Sequence, residues 1–108
     1  MSAQPREIEN YRTLDERSPF EEWLNALRDS KAKNIIKARL RRIALGNLGD
    51  YRSVGSGVCE FRIDYGPGYR IYFGQIGTRI VILLCGGDKS TQQQDIRKAI
   101  EYWEDYRR

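Results

Sequence analysis

The chain has 108 residues, enough for one domain around one core and too few for two. Its 19 Lys and Arg outnumber 15 Asp and Glu, a formal charge of +4 that suits a polyanionic partner without demanding one. With no histidine and only two cysteines, histidine-based acid–base or triad chemistry is excluded and no zinc site or other cofactor is expected, which leaves any catalysis to Arg, Lys, Tyr, Asp, Glu, Ser or Thr.

Residues 1–6 read as a loose leader, and MSAQPREIEN lacks the apolar centre of a signal peptide. No apolar run approaches the length of about 18 residues that a membrane span needs, so a cytoplasmic protein is expected. Glu7 to Leu14 reads as a first strand with Ile8, Asn10, Arg12 and Leu14 on one side. Ser18-Pro19-Phe20-Glu21 then has the composition of a capping box with proline at the first helical position. The helix it opens spaces Phe20, Trp23, Leu24 and Leu27 as a buried stripe.

Asp29-Ser30 breaks that helix and caps a second, from about Lys31 to Leu45. Ile35, Ile36, Leu40 and Ile43 form its apolar face, and Lys31, Lys33, Lys37, Arg39, Arg41 and Arg42 crowd the rest. Such a basic helix tracks phosphates, binds an acidic partner, or is simply a solvated face. Gly46 to Asp50 stops it, and Tyr51 to Val54 reads as a short strand leading through Gly55-Ser56-Gly57 into a meander.

In the meander, Cys59, Phe61, Ile63 and Tyr65 alternate with Glu60, Arg62 and Asp64. Gly66-Pro67-Gly68 turns the chain, and Tyr69, Ile71 and Phe73 then alternate with Arg70, Tyr72 and Gly74. After a return over Gln75 to Thr78, Ile80 to Cys85 is apolar at every position, as a central strand covered on both faces requires. Cys59 and Cys85 fall in different strands and read as small buried apolar residues with no disulfide between them. Ser90 or Thr91 caps a last helix, with Gln94 completing a capping box if the cap is Thr91. Ile96, Ala99, Ile100 and Trp103 are its buried stripe.

Pairing the first two meander strands as a hairpin places Glu60 and Arg62 on one face with Arg70 and Tyr72, while Asp88 and Lys89 arrive at a neighbouring strand end. The plain alternative is an ordinary solvated sheet face with cross-strand ion pairs.

The order strand, two helices, meander and final helix, with Gly68-Tyr69-Arg70 on the hairpin and Gly86-Gly87-Asp88-Lys89-Ser90 before the last helix, resembles the RelE/ParE superfamily of bacterial toxins, and within it the HigB-like addiction module killer branch. The resemblance spans Glu7 to Tyr106. It implies a small α+β domain, with a helical hairpin on one face of a curved, mainly antiparallel sheet and a C-terminal helix. It further implies a toxin of a type II toxin–antitoxin module that cleaves mRNA at the ribosome without a metal, neutralised by a helix-turn-helix, HigA-like antitoxin. Arg70 matches the family's hairpin arginine and Arg62 a basic position on the preceding strand, whereas Asp88 or Lys89 matches the charged position ahead of the last helix. Glu60 stands where a lysine is usual, so the family's general base does not carry over; Glu60 or Asp88 is the candidate base. Tyr72 and Tyr102 are candidates for acid or stacking platform, and Tyr69, Lys37 and Arg41 complete the candidate RNA-contacting residues. A ParE-like inhibitor of DNA gyrase, and a remnant that only binds nucleic acid or protein, are the competing readings.

Overall fold

The computed structural model describes residues 4–108. Its elements run β1 (Glu7–Asn10), α1 (Pro19–Ala26), α2 (Ser30–Ala44), β2 (Tyr51–Gly55), β3 (Val58–Ile63), β4 (Tyr69–Ile76), β5 (Ile80–Asp88), a single 3-10 turn (Lys89–Thr91) and α3 (Gln92–Tyr106). The five strands form one sheet in the order β1-β5-β4-β3-β2, antiparallel except for the β1–β5 edge. This is the small α+β domain that the sequence implies, with β5 between two neighbours as its apolar run requires.

The two helical layers are dictated by the strand alternation. Phe61, Ile63, Tyr69, Ile71, Phe73, Val81 and Leu83 face α1 and α2, where Phe20, Leu24, Ala32, Ile36 and Ile43 meet them. The opposite face carries Val58, Tyr72, Ile82, Leu84 and Cys85 and receives Ala99 and Trp103 of α3. Two glycines let indole rings lie directly on the sheet. A Cβ at Gly86 would come within 2.3 Å of Trp23, and one at Gly74 within 2.3 Å of Trp103.

A register shift between Tyr72 and Phe73 opposes Cys85 and Leu83, leaving Leu84 as an extra residue on β5. Leu84 and Cys85 therefore both face α3, and Gly87 comes opposite Arg70. The two cysteines are free, with Cys59 packed against the α1–α2 layer and Cys85 beneath α3.

Several expected boundaries move. Residues 1–3 of the expected leader lie outside the described residues, and Arg6 is anchored rather than loose. Its amide donates to Ala44 O at 2.8 Å and its Nη1 to Gln75 Oε1 at 2.9 Å. β1 stops at Asn10 instead of reaching Leu14, because Thr13 to Arg17 closes a turn that leaves Leu14 wholly exposed. Ser18 caps α1 by accepting from the Glu21 amide, but the Glu21 carboxylate turns to Asn10 and Arg12 instead of completing the box. Asp88 caps the 3-10 turn, accepting from the Ser90 amide at 2.8 Å. Thr91 takes the N-cap position of α3, as one of the two expected residues, but makes no side-chain cap hydrogen bond, so the expected box with Gln94 does not form.

Candidate functional site: an arginine cluster on a buried carboxylate

The site follows from register. β2 sets Arg52 opposite Glu60, while β4 sets Tyr72 opposite Glu60 and Arg70 opposite Arg62. All five therefore project from the sheet face that α3 shares. Trp103 and Ala99 cover that face over Gly74, Cys85 and Val58, and the first turn of α3 reaches Glu60 through Gln92. Arg52 and Arg62 stay open to solvent, with side chains 53% and 56% exposed.

Glu60 is fully buried at the centre of this group. Its Oε1 accepts from Arg52 Nε at 3.0 Å and from Arg62 Nε at 3.4 Å. Its Oε2 accepts from Gln92 Nε2 at 3.1 Å and lies 3.9 Å from Arg70 Nε. Burial alone pushes this carboxyl upward. Hydrogen bonds from Arg52 and Gln92, the facing Tyr72 hydroxyl and the Arg52 charge together outweigh it and hold Glu60 below the usual carboxylate range. A carboxylate so held is an organiser of cations, and a weak proton acceptor near neutral pH.

Arg70 and Tyr72 stand behind this surface. Arg70 is only 7% exposed, and its Nη1 is buried with no hydrogen-bond partner among the described residues. Tyr72 is fully buried; its hydroxyl couples to Glu60 yet makes no hydrogen bond of good geometry. Burial first, and the Glu60 charge second, raise its pKa well above the ordinary tyrosine value, so it stays protonated.

The remaining sequence candidates are scattered. Tyr69 projects into the α1–α2 core and meets Trp23 edge-on, with ring centroids 6.1 Å apart, so it is a packing residue away from the arginine face. Lys37 and Arg41 are exposed on α2, in the layer across the sheet from Arg62. Tyr102 stacks on Tyr11 beside the β1 edge, with centroids 5.0 Å apart, and that edge is the far one from β3. Asp88 pairs in register with Tyr69 and is engaged by Ser90, and neither it nor exposed Lys89 bonds to Glu60, Arg62 or Arg70. Gly87, opposite Arg70, has no room for a side chain because the Asp95 carboxylate fills the position of its Cβ. Burial raises Asp95, against a hydrogen bond from Thr91.

Two members of the cluster escaped the sequence reading. Arg52 was detectable, as the second residue of a short strand preceding Glu60 by one hairpin. Gln92 carries no local signal, since one of three successive glutamines at a helix start has nothing to mark it. Around the β2 edge the cluster opens into a groove of about 600 Å³ between the α2 end and β3, reaching Arg39, Arg42 and Tyr51. Among the described residues no group of acidic or cysteine side chains is arranged to hold a metal, and no helix is long and apolar enough to cross a membrane.

No family model matches the chain. It is similar to an uncharacterized protein of Haemophilus influenzae, 51% identical over 80 residues that cover 74% of this chain and 81% of the relative. At that identity and coverage, the chain belongs to the same family as the Haemophilus influenzae protein.

Proposed function

We propose that the protein is the toxin of a type II toxin–antitoxin module, acting in the cytoplasm as an mRNA endonuclease at the ribosome and neutralised by a helix-turn-helix antitoxin. The reading rests on the resemblance to RelE-like and HigB-like toxins. The observation that carries it furthest is the pair of solvent-open guanidiniums, Arg52 and Arg62, held side by side on one oxygen of Glu60.

Cleavage of this kind is attack by a 2′-hydroxyl on the adjacent phosphorus. The new P–O2′ bond forms as the P–O5′ bond breaks, a base takes the 2′ proton, and the 5′ oxygen is protonated. Charge accumulates on the phosphorane oxygens, where permanently charged, bidentate guanidiniums are most effective. Arg62, with Arg52 beside it, suits that role better than the enclosed Arg70.

A second reading has its own support. Glu60 is engaged by cations and Tyr72 is held protonated, so the cluster presents no ready proton acceptor. That favours a module on the same scaffold that binds its target without cutting it, whether gyrase, as ParE-like toxins do, or nucleic acid. Primer extension on a translated reporter mRNA, comparing wild type with Arg62→Ala, separates the two. Cuts within translated regions that vanish in a folded Arg62→Ala protein support the endonuclease; growth arrest without cuts supports the binding module.

A further inference from the structure

The groove at the β2 edge shares Arg52, Glu60 and Arg62 with the arginine cluster, and the rest of its lining has no part in the chemistry above. We infer that it is a subsite for one nucleotide of single-stranded RNA, with the phosphate on Arg52 and Arg62 and the base against Tyr51; this rests on the nucleic-acid reading of the same face.

The phosphate half follows from which nitrogens Glu60 uses. Both Arg52 and Arg62 approach Glu60 Oε1 through Nε, and neither guanidinium makes another side-chain hydrogen bond among the described residues. Their Nη1/Nη2 edges are therefore left outward. Two such edges, fixed side by side by one buried oxygen, match the oxygens of a phosphodiester. Because the anchoring carboxylate is fully buried, the guanidiniums are placed before any ligand arrives.

The base half follows from the groove. Its volume of about 600 Å³ is suited to a small organic group. Tyr51, in register with Phe61 and so on the α2 side of the β2 edge strand, is 45% exposed on its wall and braced edge-on by Phe73 and Phe61 at centroid distances of 5.6 and 6.0 Å. The nucleotide therefore spans that edge from Arg52 to Tyr51. An exposed aromatic beside cations is the arrangement by which single strands are held through stacking. Arg39 makes the wall rigid, donating to Leu48 O and Asp50 O at 3.4 and 3.1 Å from the loop and to Arg62 O at 3.4 Å from β3. Asn47 and Asp50 also line the groove. A lining of amide, carboxylate and arginine fits the donor and acceptor edge of a base better than a continuous run of phosphates or an acidic peptide.

The test is fluorescence anisotropy with a labelled single-stranded RNA of about ten nucleotides, a length within the site sizes of single-strand binders. Arg52→Lys keeps the charge and removes the fork, and is expected to weaken binding about tenfold. Tyr51→Leu keeps an apolar group on Phe61 and Phe73, and is expected to weaken it roughly 5- to 50-fold through lost stacking. Arg12→Gln, beside the far β1 edge where it meets Glu21, should leave affinity within about twofold. Wild-type affinity in both groove variants overturns the subsite, as does failure of the wild-type protein to bind. Displacement of the RNA by oligoglutamate as readily as by unlabelled RNA overturns it in favour of an acidic protein segment. In-cell mRNA cleavage is scored separately. Cleavage that survives both groove variants removes the subsite and keeps the endonuclease; variant-sensitive binding by a protein that cuts nothing keeps the subsite and removes the endonuclease.

Discussion

Gln92 donates its side-chain amide to Glu60 Oε2 at 3.1 Å, joining the first residue of α3 to the middle of β3. The same carboxylate organises Arg52 and Arg62, so the placement of the helix and the shape of the cationic face depend on one side chain. Glu60→Ala would leave Arg70 buried without its anion and is expected to cost about 3 kcal/mol. Gln92→Ala removes one hydrogen bond and should cost about 1 kcal/mol. Urea unfolding measures both; equal losses would mean that the ion cluster contributes nothing beyond that bond.

The acid limb of stability should carry the Glu60 signature. Its folded pKa lies below the reference value of 4.5, so its contribution is complete above pH 4.5 and is lost as pH falls through the folded pKa. Asp95 has the opposite sign. Burial raises its folded pKa, so its ionised form is disfavoured at neutral pH and the strain is relieved as pH falls. Unfolding free energy followed from pH 7 to pH 2 should therefore fall less steeply below pH 4.5 in Glu60→Gln than in wild type. Asp95→Asn should be neutral or more stable by up to about 1 kcal/mol at pH 7, with that gain gone in acid. An unchanged acid slope in Glu60→Gln would remove the ionised-hub account.

At the other edge of the sheet, the Tyr11 hydroxyl donates to Asp105 Oδ2 at 2.6 Å. Burial, then this bond and the Asp105 charge, raise Tyr11 from 10.0 to about 12. For a group raised in the folded state, the contribution is complete below pH 10 and is lost as pH climbs toward 12. Tyr11→Phe should cost about 1 kcal/mol at pH 7. The difference between the two proteins should shrink above pH 10, as thermal melts across that range would reveal.

The register of the β3–β4 hairpin was legible because Glu60, Arg62, Arg70 and Tyr72 occupy strictly alternating positions, and alternation decides a face. The same pattern already assigned Tyr69 to the helical face with Ile71 and Phe73; its candidacy as an RNA contact came from the neighbouring motif and ran against the period. Inside Ile80 to Cys85, where every residue is apolar, no alternation exists to be broken, so the extra residue at Leu84 left no trace. That bulge moves Gly86 to one face and Gly87 to the other, which is why Asp88 ends away from the arginines. Burial was the other illegible quantity. Over Glu60 and Arg70 lies the start of α3, with Gln92 bonded to Glu60 and Asp95 against Gly87 opposite Arg70, contacts between segments far apart in the chain.

The seating of α3 rests on the bare backbone at Gly74. A Cβ there would lie 2.3 to 2.5 Å from three atoms of the Trp103 ring, which is itself buried and stacked on Tyr106 at a centroid distance of 5.6 Å. Gly74→Ala should cost about 1–3 kcal/mol by displacing the indole. Pairing it with Trp103→Leu should recover part of that loss, so the double variant would be more stable than the sum of the single changes predicts. Strict additivity in urea unfolding would show that the helix shifts without regard to this contact.

Arg70 poses the sharpest question about the site, since the resemblance to RelE-like toxins points to it while the fold encloses it. Its Nε stands 3.9 Å from Glu60 Oε2 and its Nη1 has no partner, so the guanidinium is a buried charge with incomplete compensation. Replacing such a group with an unbranched apolar chain is close to neutral when the neighbouring anion keeps other cations, and Glu60 keeps Arg52 and Arg62. Arg70→Met is therefore expected to stay within about 1 kcal/mol of wild type in urea unfolding. It should also weaken RNA binding less than Arg62→Met, whose guanidinium faces solvent. If Arg70→Met instead binds more weakly than Arg62→Met while folding normally, RNA draws the enclosed guanidinium to the surface. The unpartnered Nη1 would then be the group that the ligand completes.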